Sequence, residues 1–147
     1  MLTGPELLEQ LPQQEPFRFV DEVLEADARH IVCRYTFRPD EAYYRGHFPD
    51  QPMTPGVILL EAMAQSGVVL QGLYLLLREG GSAQRYRTLF TDAQVEWHVP
   101  VGPGETVTIH AELLGWRRMR IRSRVDLRIK DGRLAASGVL GGMGVEL

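Results

Sequence analysis

The most informative stretch of the chain is Arg45-Gly46-His47-Phe48-Pro49-Asp50-Gln51-Pro52-Met53-Thr54-Pro55-Gly56, which leads directly into the apolar run Val57–Leu77. Thr54 before Pro55 predicts a helix start. A threonine hydroxyl can accept hydrogen bonds from the free N–H groups of a first turn, and proline at the first helical position loses no hydrogen bond. The sequence therefore predicts a loop that carries His47, followed by a long helix.

The predicted helix is apolar on nearly every face, which is typical of a helix that is buried all round. A transmembrane helix is the alternative, but Glu61, Gln65 and Gln71 lie within the run. A charge at mid-bilayer costs about 2.5 to 3.5 kcal/mol even on insertion scales. We therefore predict a core helix covered by a sheet, and no membrane association.

Glu61 and His47 are the residues of this region that can take up or release a proton. A carboxyl group on an apolar helix is costly to bury unless it is neutralised, paired or used, and desolvation would raise the pKa of Glu61 towards neutrality. His47 is bracketed by Gly46 and Pro49, whose turn chemistry restricts its position. Either residue alone is more often a packing or surface residue, but together they favour a general base and a general acid.

Three segments form a compound signature of about twenty positions: Gly46-His47-Phe48-Pro49, Pro55-Gly56-Val57 and Glu61-Ala62-Met63-Ala64-Gln65. This signature resembles the active-site segment of the 3-hydroxyacyl-acyl-carrier-protein dehydratases of fatty acid biosynthesis, which have the hot-dog fold. The resemblance also covers residues 11–12, 16–23 and 101–105. It implies that His47 is the catalytic histidine, that Glu61 is the catalytic acid, and that the backbone N–H of Gly56 polarises the thioester carbonyl.

The resemblance implies a hydro-lyase that dehydrates a 3-hydroxyacyl thioester, linked to acyl carrier protein or coenzyme A, to the trans-2-enoyl thioester. It implies no metal or organic cofactor. Glu61 favours dehydration alone, since the dehydratase–isomerase branch carries Asp here. We expect the acyl chain to lie in an apolar tunnel lined by Phe48, Val57, Leu60 and Ala64. The expected assembly is a homodimer, or a trimer of dimers, whose sites each take His47 from one chain and Glu61 from the other.

The chain departs from the family pattern in two places. Gln13-Gln14-Glu15 stands where the family usually has basic and aromatic residues, and Asp92–Trp97 stands where it usually has a basic stretch. A non-catalytic acyl-binding subunit with this fold is therefore one alternative function. A hot-dog acyl thioesterase, in which a carboxylate activates water, is another, although the His-Phe-Pro element and Glu61 argue against it.

Length and composition are those of one domain spanning residues 1–147, large enough to form a core without a metal or a disulfide. The lone cysteine, Cys33, excludes an internal disulfide and alternates with apolar residues, so we expect it to pack in the core. The first residues show no basic segment followed by an apolar run, which favours a cytoplasmic location.

The remaining elements predict an α+β protein: an antiparallel sheet wrapped around one long central helix. A short helix is predicted over Pro5–Leu11, and strands over residues 17–24, 30–38, 86–99, 106–114, 117–130 and 133–145. Asp131-Gly132 between two alternating runs predicts a hairpin with a type I′ turn, in which both residues have positive φ.

The run from Arg117 to Arg128 is rich in arginine and could suggest nucleic-acid binding. Its period of two is instead typical of a half-buried strand, with the arginines on the solvated face. The apolar face is predicted to consist of Met119, Ile121, Val125 and Leu127. We therefore expect no nucleic-acid partner. A second hypothesis is that these arginines attract an acidic acyl carrier protein.

Overall fold

The computed structural model describes residues 2–147. Helix α1 (Gly4–Glu9) is followed by β1 (Glu22–Ala26) and β2 (His30–Thr36), and a 3₁₀ turn (Ala42–Arg45) leads to the central helix α2 (Gly56–Arg78). A second 3₁₀ turn (Ala83–Arg85) precedes four long strands, β3 (Tyr86–Trp97), β4 (Thr106–Arg117), β5 (Arg120–Ile129) and β6 (Leu134–Glu146). Each predicted helix and strand is therefore present, with shifted ends.

The six strands form one sheet in the order β1-β2-β4-β5-β6-β3, and every neighbouring pair is antiparallel. The inner face of this sheet packs against α2, which is the α+β hot-dog architecture that the sequence predicted. Strands β1 and β3 are the two edges of the sheet. Strand β3 is paired only with β6, so the other side of this twelve-residue strand has free backbone groups.

Helix α2 is the centre of the core. Its side chains Met63 and Leu70 are fully buried and meet Ile109, Leu127 and Leu140 of the sheet within one apolar cluster. By length and composition α2 could cross a membrane, but most of it is enclosed by the sheet. Its apolar surface is therefore accounted for as protein core, as predicted. Cys33 is also fully buried in this cluster.

The middle of α2 approaches the sheet closely at Gly67. A Cβ atom placed there would lie 2.6 Å from Cγ2 of Val125 and 2.9 Å from Cβ of Ala111. The Ser123 hydroxyl donates a 2.7 Å hydrogen bond to the carbonyl of Gly67. This contact falls inside Gln65–Leu70, where α2 is wound as a π-helix and its carbonyls are displaced from the α-helical pattern. The sequence did not predict this segment.

The start of α2 differs from the prediction. The N-cap residue is Pro55, and Thr54 makes no capping hydrogen bond. Instead, the Thr54 hydroxyl lies 2.5 Å from the hydroxyl of Tyr44, and its N–H donates to the carbonyl of Val101. The capping prediction was wrong because the threonine has a tertiary partner that the local sequence does not reveal.

Two turns and one strand also differ. Arg118 and Met119, predicted within a strand, form the β4–β5 turn with φ angles of 52° and 64°. In the β5–β6 turn only Gly132 has a positive φ, and its N–H donates to the carbonyl of Ile129, so the turn is not type I′. Strand β1 begins at residue 22, because the backbone of residues 17–19 bonds to a helix side chain rather than to a neighbouring strand.

We predict that Gly67→Ala lowers the free energy of unfolding by about 1 to 3 kcal/mol, because the added methyl group overpacks the helix–sheet contact. Gly72→Ala is the matched control on the same helix, since its Cβ would lie 3.8 Å or more from the nearest side-chain atoms. That change should be neutral or stabilising by up to about 1 kcal/mol through helix propensity. Urea unfolding of both variants measures this, and equal effects would contradict the close contact at Gly67.

Candidate active site

His47 follows the first 3₁₀ turn and is held by its backbone and by its ring. Its N–H donates to the carbonyl of Tyr43 at 3.0 Å, and its own carbonyl accepts from the N–H of Met53 at 2.8 Å. Nδ1 lies 2.9 Å from the carbonyl oxygen of Met53. Because a carbonyl can only accept, this contact assigns the proton to Nδ1 and leaves the Nε2 lone pair of the neutral ring free to take a proton.

Glu61 lies in the first half of α2 and is half-buried. Desolvation raises the pKa of this carboxyl above its ordinary value, and a hydrogen bond from Gln65 opposes part of that shift. The bond runs from Nε2 of Gln65 to Oε2 of Glu61 at 2.9 Å. The environment therefore favours a protonated carboxyl more than water does, which is the property that a general acid needs.

Gln65 is a site residue whose role the sequence reasoning missed. Its side chain is fully buried, and its Oε1 accepts from the N–H of Phe19 at 2.8 Å. Its Nε2 donates to the carbonyl of Phe17 at 2.9 Å as well as to Glu61. One amide thus joins the proposed acid to the segment before β1. The four-residue spacing from Glu61 to Gln65, which places both on one helix face, was the signal available in the sequence.

Within one chain His47 and Glu61 have separate partners. His47 bonds to Met53 and Glu61 bonds to Gln65, and among residues 2–147 no hydrogen bond joins the two side chains.

Gly56 is the first residue of α2, where backbone N–H groups lack intrahelical partners and the helix dipole is positive. The indole N–H of Trp97, at the end of β3, donates to the carbonyl of Gly56 at 3.1 Å. A Cβ atom on Gly56 would come within 3.1 Å of the same indole nitrogen. Trp97 therefore packs directly on Gly56, the residue predicted to polarise the thioester carbonyl. The sequence analysis assigned no role to Trp97.

The four predicted tunnel residues lie in different environments in the single chain. The side chains of Val57 and Phe48 are 70% and 49% exposed, Leu60 is half-buried, and Ala64 is buried in the core cluster. The tunnel stays a prediction, and any cavity that includes Val57 and Phe48 needs a further surface to enclose it.

The raised pKa of Glu61 predicts a pH-dependent stability. A carboxyl with a folded-state pKa above its unfolded value contributes stability that is complete below about pH 4.3 and is lost as the pH rises through the folded pKa. Glu61→Gln cannot ionise, so it should unfold at higher urea than the wild type at pH 7, and the difference should vanish near pH 4. Glu9→Gln, at an exposed carboxyl of α1, is the control. A wild type that is more stable than Glu61→Gln at pH 7 would contradict the burial of Glu61.

Gln65→Leu tests the amide bridge, with Gln71→Leu as the matched control on the same helix. Gln71 is equally buried but makes one hydrogen bond, to the carbonyl of Asp27. Gln65→Leu leaves the backbone groups of Phe17 and Phe19 unpaired, at about 1 to 3 kcal/mol each. It should therefore lower the free energy of unfolding more than Gln71→Leu does, and raise the pKa of Glu61 further. Carboxyl NMR titration and urea unfolding measure the two effects, and a larger loss from Gln71→Leu would refute the bridge.

Comparison with known proteins shows which family the chain belongs to. The FabA-like domain family matches residues 11–139. The 3-hydroxyacyl-acyl-carrier-protein dehydratase FabZ of Thermus thermophilus is 39% identical over 114 residues, which is 77% of each chain. The dehydratase of the same name from Bartonella quintana is 34% identical over 137 residues, covering 89% of this chain and 86% of the relative.

Solved structures share the fold at low sequence identity. A dehydratase heterocomplex from Xenorhabdus doucetiae superposes with a TM-score of 0.79 at 16% identity, covering 99% of this chain and 93% of that chain. A thioesterase from Haemophilus influenzae gives a TM-score of 0.69 at 13% identity, covering 100% and 93%. These structures support the hot-dog fold alone, whereas the sequence matches also identify the family. The chain belongs to the FabA-like family.

Proposed function

We propose that the protein is a hydro-lyase that removes water from a 3-hydroxyacyl thioester to give the trans-2-enoyl thioester, in fatty acid or related acyl-chain biosynthesis. The observation that carries this proposal is a half-buried carboxyl with a raised pKa, Glu61, on the helix that follows a loop holding His47 with Nε2 free. FabZ relatives named as dehydratases of acyl-carrier-protein substrates support the same reaction. The carrier is acyl carrier protein or coenzyme A, and assays with each thioester distinguish the two.

The elimination moves two protons and needs no oxidant or reductant. His47 Nε2 takes a proton from C2 of the substrate, the electron pair forms the C2–C3 double bond, and the C3–O bond breaks. Protonated Glu61 gives its proton to the departing hydroxyl, which leaves as water. The N–H of Gly56 donates to the thioester oxygen while negative charge develops there. Each positioned proton-transfer group contributes about 10²- to 10⁴-fold to the rate.

The proposal includes a two-fold dimer in which each site takes His47 from one chain and Glu61 from the other. The unpaired edge of the single chain supports it. Strand β3 is paired on one edge only, and its side chains Leu89 and Phe90 are 52% and 42% exposed. Native sheets rarely leave a long apolar edge strand uncovered. Pairing this edge with its own copy is an isologous contact. Three such dimers would form the larger assembly.

The same dimer would complete the substrate tunnel. Val57 and Phe48 are exposed beside the start of α2, and a second chain could cover them and enclose a channel that runs past Leu60 towards Ala64. Residues 1–147 act in this proposal as one dehydratase-like domain in the cytoplasm.

The reaction is tested by incubating the protein with a 3-hydroxyacyl thioester and following enoyl absorbance and free thiol. Enoyl product supports dehydration, free thiol would indicate a thioesterase, and neither would indicate a non-catalytic acyl-binding subunit. His47→Ala and Glu61→Gln should each lower the rate by about 10²-fold or more without unfolding the protein. Either variant retaining above about a tenth of wild-type activity would refute its assigned role.

The shared site is tested by mixing the two inactive variants after mild dissociation. Statistical exchange makes about half of the dimers mixed, and each mixed dimer regains one intact site. Activity should therefore return to about a quarter of the wild-type site count. Proven subunit exchange without recovery would show that both groups act from the same chain.

A further inference from the structure

The indole of Trp97 joins the end of β3 to the start of α2. Its N–H donates to the carbonyl of Gly56, and an added Cβ on Gly56 would lie 3.1, 3.3 and 3.5 Å from Nε1, Cε2 and Cδ1 of the indole. These three atoms belong to the five-membered ring, so that ring lies directly against the glycine backbone. A larger residue at position 56 would crowd the indole, and the contact therefore depends on glycine at this position.

The first two N–H groups of α2, those of Gly56 and Val57, are available to an external acceptor. Within residues 2–147 neither donates a hydrogen bond, whereas the N–H of Ile58 donates to the carbonyl of Pro55 at 2.9 Å. Both free groups lie at the positive end of the helix dipole. A helix start of this kind stabilises an oxygen that carries negative charge, such as the thioester oxygen during the proposed elimination.

The peptide group that follows Gly56 has the carbonyl bonded to Trp97 at one end and the N–H of Val57 at the other. A peptide group is planar, so a hydrogen bond to its carbonyl also fixes the direction of its N–H. Hydrogen bonds in a chain polarise one another, which makes this N–H a stronger donor. The indole of Trp97 thus acts, through one peptide group, on a free donor of the helix start.

The segment at the end of β3 holds the helix start from two sides. Trp97 is the last residue of β3, and the N–H of the next residue, His98, donates to the carbonyl of Ala135 in β6 at 2.7 Å. Four residues after Trp97, the carbonyl of Val101 accepts from the N–H of Thr54 at 2.9 Å. The loop before α2 and the first residue of α2 are therefore both bound to one segment that the sheet anchors. Such support keeps hydrogen-bond donors in one place, as electrostatic stabilisation requires.

We propose that Trp97 is a positioning residue for dehydration: its indole N–H fixes and polarises the peptide group after Gly56, and so holds the free N–H groups of α2 towards the thioester oxygen. This inference rests on the proposed dehydratase function. Negative charge grows on that oxygen only while the C2 proton is being removed. Fixed donors therefore stabilise the transition state more than the bound substrate, and loss of the indole bond should lower kcat more than it raises KM.

The alternative is that Trp97 only packs on Gly56 as an apolar ring. Two substitutions separate packing from hydrogen bonding. Trp97→Phe keeps an aromatic ring and removes the N–H. Trp97→His keeps a five-membered ring that can carry an N–H, and loses the larger part of the apolar surface. If packing were the role, phenylalanine would be the better replacement, whereas a hydrogen-bonding role favours histidine.

Trp97→Phe should lower kcat with a 3-hydroxyacyl thioester by about tenfold and change KM by less than about twofold. This loss is smaller than the roughly 10²- to 10³-fold that follows removal of a donor to the oxyanion, because here the donor is weakened but still present. Trp97→His should keep more of the wild-type kcat than Trp97→Phe does.

Trp116→Phe is the matched control. Trp116 also donates its indole N–H to a residue at an end of α2, since it bonds at 2.8 Å to the carboxylate of Glu79, just past the helix. The 23-residue helix separates this bond from Gly56 by about 33 Å. The same substitution at this distance should leave both kcat and KM at their wild-type values.

The infrared spectrum of a bound enoyl thioester reports on the donors directly. Hydrogen bonds to a carbonyl oxygen lower its stretching frequency, and a ¹³C label at the thioester carbon identifies the band. With saturating trans-2-enoyl thioester, the band should lie at a lower frequency in the wild type than in Trp97→Phe, and Trp116→Phe should match the wild type. A purely structural role of Trp97 would change Tm without moving this band.

Three results with Trp97→Phe would overturn the positioning role: an unchanged kcat, a rise in KM with kcat unchanged, or a carbonyl band at the wild-type frequency. A Trp97→His variant that is less active than Trp97→Phe would show that packing is the role, and would overturn it as well. If thermal unfolding shows that Trp97→Phe is misfolded, the carbonyl band of Trp97→His decides, since a band near the wild-type frequency supports the hydrogen bond and a shifted band contradicts it.

Failure of the proposed function gives a different result. A wild type that forms no enoyl product would refute the dehydratase assignment itself. The carbonyl band of the bound enoyl thioester would still show whether Trp97 acts on the donors at the start of α2, because that measurement needs binding and no turnover.

Discussion

The burial of one long apolar helix inside an antiparallel sheet is the constraint on which the other features depend. Burial of apolar surface is the main favourable term in folding. Among the helices, α2 contributes most of the buried apolar side chains. The same burial makes any polar side chain on α2 expensive, unless it has a partner. Glu61, Gln65 and Gln71 each have a hydrogen-bond partner, and the partial burial of Glu61 raises the pKa of its carboxyl.

Much of the fold was predictable because its signals are local and periodic. The spacing of apolar side chains predicts the strands, the central helix α2 and the burial of Cys33. Two of the errors have a common physical cause: Thr54 bonds to Tyr44, and the backbone of Phe17 and Phe19 bonds to Gln65. Tertiary partners decide these positions, and no local pattern contains them.

The candidate site was predictable in its residue types but not in its supporting contacts. His47 and Glu61 could be selected from the sequence, since few other groups near an apolar helix can transfer protons. The hydrogen bond that selects the tautomer of His47 comes from the carbonyl of Met53, and a backbone carbonyl has no signature in a sequence. Trp97 is a similar case, because its contact with Gly56 joins residues that are 41 positions apart.

The π-helical segment Gln65–Leu70 determines how the two halves of α2 are rotated relative to each other. A π turn accommodates one residue more than the α-helical path, which rotates everything beyond it by about 100° around the axis. The face that includes Leu73 and Leu76 is therefore phased independently of the face that carries Glu61. Removing a single residue here would rotate the C-terminal half of α2 away from the sheet, while the half that carries Glu61 kept its orientation. The segment therefore sets the rotation of the C-terminal half relative to the half that carries Glu61.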